Sequence, residues 1–211
     1  MPSLIFPISM QDAPSWLSSL VWTDYRLAVL FTVIIPLVLL IWAFVQRSEA
    51  IQRLMIIFWR VSSLLTITVY LLIGAFPIGF ATGWLARILI PISLWFWADL
   101  NEEIRDQPSS PLRLSVTSWR WAVSAYCVLG VLVQIPIYLR CALLSSQQLL
   151  SDASCRAWLT PPWLLREYLH AGARPYFLGF LGLIGLGIYM LYLGYFVFFR
   201  LGKRKRSAMG N

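Results

Sequence analysis

With 211 residues, 59% of them hydrophobic and only 12% charged, the chain departs from a soluble domain, which carries about 25% charged and about 45–50% apolar residues. A formal net charge of +8 is also found in nucleic-acid binders, but such proteins gather charge on a polar surface. Here the 17 basic residues stand at the ends of apolar runs, and five of them crowd positions 200–206. That is the distribution that anchors and orients membrane helices, so it argues against nucleic acid and for the lipid bilayer.

The apolar runs set the fold class. Residues 27–45, 61–86, 121–139 and 175–199 contain no charge. A hydrocarbon core roughly 30 Å thick is crossed by about 20 apolar residues in a helix. The expected fold is therefore all-α: a polytopic transmembrane helical bundle of about five spans.

In chain order, residues 1–26 read as an N-terminal lead, with Trp16 and Trp22 suited to the membrane interface. The lead has no basic n-region, and Pro2, Pro7 and Pro14 interrupt any early helix. The first span is therefore expected to be retained as its own insertion signal. It covers about 27–45 and contains Pro36, which removes one backbone bond and bends a helix. Residues 46–60 interleave Arg47, Arg53 and Arg60 with an apolar stripe and run into span two. Residues 61–98 hold one charge, Arg87. As one helix they would reach roughly 57 Å at about 1.5 Å per residue, close to twice the hydrocarbon thickness. Gly74, Pro77, Gly79 and Gly83 mark a break. A tight hairpin follows: span two at about 55–76 and span three at about 83–99, with Arg87 snorkelling to the interface. A re-entrant half-helix is the alternative for 83–99. Residues 100–118 read as a polar loop, 119–139 as span four, 140–174 as an outer loop, 175–199 as span five, and 200–211 as a basic cytoplasmic tail. Residues 27–199 thus form a single transmembrane domain.

Orientation follows from counting. Segments 46–60, 99–120 and 200–211 share one side and hold 11 Lys and Arg, against 6 on the other. The positive-inside rule then places the N-terminus outside and the C-terminus in the cytoplasm.

The most evident polar cluster is Asp99, Glu102, Glu103 and Asp106. Spacing i, i+3, i+4, i+7 puts the four on one helical face. Read as the C-terminal end of span three, they oppose the helix macrodipole and call for a compensating charge. Arg53, Arg60, Arg105 and Arg113 are the internal candidates, and a basic partner docking on the carboxylates is the alternative. A di-metal site is disfavoured, since such bundles use a Glu-x-x-His motif and no histidine is near. His170, the only histidine, is a weak candidate for ligating a haem or chlorophyll. Cys141 and Cys155 share the outer loop and form a disulfide if that side is oxidising. Cys127 reads as a small buried hydrophobe. Gly179, Gly182 and Gly185 in span five offer a face for close helix packing. No catalytic residues, metal site or cofactor are assigned, because no nucleophile, phosphate-loop or zinc motif occurs. With Arg87 taken to snorkel, no ionisable group is left in the middle of a span, which argues against a pump and weakly against a transporter.

Five stretches, VWTDYRLAVLFTV at 21–33, IWAFVQRSEAIQRL at 41–54, GWLARILIPISLWFWADLNEEI at 83–104, SWRWAV at 118–123 and YLGYFVFFRLGK at 192–203, resemble an uncharacterised family of integral membrane proteins of cyanobacteria and chloroplasts. The resemblance implies a photosynthetic organism and a thylakoid or plasma membrane. It brings no catalytic residues. The function expected is that of a non-catalytic accessory protein, an assembly factor or small subunit of a photosynthetic membrane complex that contacts other membrane subunits. A small carrier or channel for a small or lipidic molecule and a pigment-binding protein are the alternatives.

Overall fold

A computed structural model describes residues 14–201, with backbone alone for Arg200 and Leu201. The first half of the N-terminal lead and nearly all of the basic tail lie outside the described residues. Those described are helical, with no strand. Helix α1 (Ser15–Val29) continues through a wide π turn, Leu30–Ile34, into α2 (Ile35–Val45). Then come α3 (Glu49–Ile73), α4 (Ile78–Trp95), α5 (Ala98–Asp106), α6 (Pro111–Leu143), α7 (Ser146–Ser151), α8 (Ala153–Leu169) and α9 (Pro175–Tyr195). A second π turn follows at Phe196–Leu201. Five segments are long and apolar enough to cross a membrane: Ser15–Val45, Glu49–Ile73, Ile78–Trp95, Pro111–Leu143 and Pro175–Phe199. Helix α3 is central and packs on α2, α4, α5, α8 and α9, while α6 packs on α2, α4 and α8.

The span boundaries differ from the expected ones in four places. Span one starts at Ser15 rather than near 27, because the polar Thr23, Asp24 and Arg26 interrupt the hydropathy but not the helix. Span three is an uninterrupted helix from Ile78 to Trp95, not 83–99 and not a re-entrant half-helix. The polar loop at 100–118 is mostly α5 and the start of α6. The outer loop at 140–174 is largely α7 and α8; helix α8 buries Cys155, Trp158 and Leu159 against the ends of the spans. Cys141 and Cys155 are joined in a disulfide, with Cα atoms 5.7 Å apart, which ties α8 to α6.

The turn between α3 and α4 is made by Ala75, whose φ of 54° is left-handed. Gly74 has an ordinary φ of −77° and serves another purpose. A Cβ on it would come within 2.7 Å of the Gly179 Cα, so the hairpin and α9 touch backbone to backbone.

Prolines leave carbonyls without their usual donors, and in a membrane such groups need partners from neighbouring helices. In the first π turn the Ile35 N–H bonds to the Leu30 carbonyl. The Phe31 carbonyl is passed over, and Pro36, next in the wide register, has no N–H. Trp119 on α6 supplies the donor: its Nε1 reaches the Phe31 oxygen at 2.9 Å. Pro162 has no N–H for the Trp158 carbonyl, and the Tyr25 hydroxyl of α1 donates to it at 3.3 Å. Helix ends are treated likewise, with Trp163 Nε1 donating to the Ile73 carbonyl at 3.2 Å.

Candidate functional site

Near the middle of the bundle the Arg87 guanidinium donates to the Asp24 carboxylate, Nη2 to Oδ2 at 2.5 Å. The two side chains are 7% and 12% exposed. Arg87 stands nine residues from Ile78 and eight from Trp95, so about 12–14 Å from each end of its helix. It does not snorkel, and span three carries a charge at its centre. A charged side chain at that depth is disfavoured by about 2.5–3.5 kcal/mol on insertion scales. Pairing with a carboxylate from another span is what makes the position tenable.

Three spans converge here. Asp24 comes from α1, Arg87 from α4, and α6 contributes Tyr126 and Gly130. The Tyr126 hydroxyl lies 3.0 Å from the Asp24 Oδ1 and 3.1 Å from its carbonyl oxygen. Its ring sits 5.0 Å from the Arg87 guanidinium carbon, in cation–π contact. Gly130 admits the arginine: a Cβ there would stand 1.9 Å from Nη1. Nη1 thus sits close against the α6 backbone at Gly130, buried without a hydrogen-bond partner among the described residues. One turn farther along α6, Gln134 is also buried. Tyr138 continues the same face and packs edge-on to Phe80 and Trp158. Between α3 and α4, the Thr68 hydroxyl donates to that of Thr82 at 2.9 Å.

A second buried arginine closes the C-terminal end of α4. Arg120 Nη2 donates to the Leu94 carbonyl at 2.7 Å and also to the Asn101 side-chain oxygen. Its guanidinium carbon sits 4.1 Å from the centre of the Trp95 ring. A cation at a helix C-terminus complements the macrodipole. It also fixes the break between α4 and α5.

That break changes the meaning of the acidic cluster. The helix stops at Trp95 and restarts at Ala98, so Asp99 occupies the first turn of α5, where the macrodipole favours an acid. Leu100 and Ile104 anchor α5 in the core, with Asp99 and Glu103 half-buried and Glu102 and Asp106 exposed. Arg105 reaches Asp106 at 3.6 Å with both side chains in solvent, a pair worth about 0–1 kcal/mol. Arg53 pairs with Glu49, and Arg113 donates to the Gln107 carbonyl. No group of three or more potential metal ligands forms among the described residues. His170 Nε2 lies 3.3 Å from the Tyr70 hydroxyl, with the rings edge to face. Gly179 and Gly182 face the hairpin and α3, where a Cβ would stand 2.8 Å from the Gly74 Cα and 3.0 Å from the Leu71 nitrogen. Gly185 is looser, 3.4 Å from Ile67. Cys127 is a buried free thiol.

One further feature lies between α3, α4 and α9. A crevice of about 200 Å³, walled by residues such as Leu89, Ile92, Leu193 and Phe196, has Arg60 on its rim.

The five spans, their buried ion pair and the extramembrane caps define a multi-pass helical membrane protein. The chain belongs to the family described as "Protein of unknown function (DUF3177)", whose model matches residues 18–209. No curated protein and no solved structure matches it.

Proposed function

We propose that this protein is a non-catalytic accessory protein of a membrane complex, an assembly factor or small subunit, and that its intramembrane ion pair is a brace. The observation that carries this reading is the packing of Arg87: one nitrogen is held by Asp24, and the other lies where a single methyl on Gly130 would stand 1.9 Å away. A transport cation needs space for a moving ligand beside it, and here the α6 backbone occupies that side. The resemblance to a cyanobacterial and chloroplast family supports a photosynthetic membrane, thylakoid or plasma membrane. The basic bias of 11 to 6 supports an N-out, C-in orientation. So does the Cys141–Cys155 bond, because disulfides persist on the oxidising side.

The second reading, a carrier of a lipidic molecule, is favoured by the apolar crevice beside α9. Native-gel migration of a tagged copy from gently solubilised membranes separates the two. The accessory reading expects a stable assembly well above the 24.2 kDa of the chain. Migration as a free small protein, together with lipid flux in reconstituted liposomes, would overturn it.

A further inference from the structure

We infer that the crevice between α3, α4 and α9 holds an anionic glycerophospholipid, with its phosphate on Arg60. This stands independently of the accessory reading.

The level of Arg60 can be read from the helix register. Thr68 on α3 is bonded to Thr82 on α4. From that contact Arg60 is eight residues along α3, about 12 Å, while Trp95 at the end of α4 is thirteen residues along, about 20 Å. Arg60 therefore lies about 8 Å inside the end of the neighbouring span. At that depth its long arm reaches the head-group region while its stem stays among acyl chains. The residue is exposed, and no carboxylate pairs with it among the described residues. An unpaired cation at the membrane boundary seeks an anion, and lipid phosphate is the anion that boundary supplies.

The surroundings fit the rest of a lipid. Arg60 is the one charged residue lining the crevice, whose other walls are aliphatic and aromatic apart from Ser93. The Ser93 hydroxyl is already committed to the Ile90 carbonyl at 2.7 Å. A second hollow of about 320 Å³ adjoins it, again bordered by Arg60, and reaches Ile67, Gly185 and Ile188 along α3 and α9. The two hollows share Arg60, Tyr189 and Tyr192, giving largely apolar space beside a single cation. A free phosphate ion would find the charge but not a reason for the walls. A soluble acidic peptide would have to enter the bilayer.

The test is native mass spectrometry of the full chain after exchange into equal amounts of phosphatidylglycerol and phosphatidylcholine. The wild type should retain one phosphatidylglycerol in preference to phosphatidylcholine. Arg60→Gln should lower that preference about fivefold, the effect of removing about 1 kcal/mol of attraction, and Arg60→Lys should keep most of it. Leu193→Trp, which fills the crevice, should reduce retention of both lipids. Added inorganic phosphate should displace neither. Equal retention of the two lipids by the wild type would overturn the proposal without recourse to any variant. Unchanged selectivity in a folded Arg60→Gln, or displacement by inorganic phosphate, would also overturn it.

Discussion

Gly130 is the residue on which the buried centre depends. A methyl at that position would collide with Arg87 Nη1 at 1.9 Å. The end of an arginine can shift, but Asp24 holds its other nitrogen. Gly130→Ala is therefore expected to destabilise the detergent-purified protein by about 1–3 kcal/mol, as overpacking does; a thermal melt identical to wild type would mean the guanidinium has room to move. Trp119 offers a second test at the same scale. Trp119→Phe keeps the ring against Phe58, 4.9 Å away, but removes the donor to the Phe31 carbonyl. Leaving that buried acceptor unpaired should cost about 1–3 kcal/mol, whereas Trp16→Phe, at an exposed position, should stay within about 0.5 kcal/mol. Equal effects of the two would count against the proline-freed carbonyl as the reason for Trp119.

At the scale of elements, α9 touches the bundle through one glycine face and offers a control within one helix. Gly179→Leu drives a side chain into Gly74 and Phe76, while a Cβ on Gly187 meets nothing within 4 Å. Loss of folded protein on size-exclusion chromatography is expected for Gly179→Leu and not for Gly187→Leu; the reverse order would place α9 in a different rotation. The existence of these helices is legible in sequence because charge-free runs need no tertiary knowledge. Their ends are less so. Thr23, Asp24 and Arg26 look like the polar lead of a span, since hydropathy averages over them, yet Asp24 faces a partner inside the bundle. That partner, Arg87, is 63 residues away, and neither residue type nor spacing announces the pair. The stop at Trp95 is equally hidden. No glycine or proline falls between Trp95 and Ala98, and the break is held by Arg120 and Asn101 from outside the helix. Hence the acidic cluster, rightly seen as helical, is assigned the wrong end of a helix when read from sequence.

For the whole molecule, five spans place the two ends of the bundle on opposite sides. Reporter fusions after Ser109 and after Gly172, in the short connections before α6 and α9, should read cytoplasmic and external respectively. Matching readings at both sites would remove α6 as a span. What joins the spans is the convergence of α1, α4 and α6 on Asp24, Arg87 and Tyr126, and its worth as a brace can be measured by a double-mutant cycle. Unfolding free energy would be compared for wild type, Asp24→Asn, Arg87→Met and the double variant. A brace predicts that each single change costs about 3–5 kcal/mol, because one buried charge is left alone, and that the double change costs less than the two singles together. Additive losses, or single variants as stable as wild type, would contradict the brace and favour a transport role for the ion pair instead.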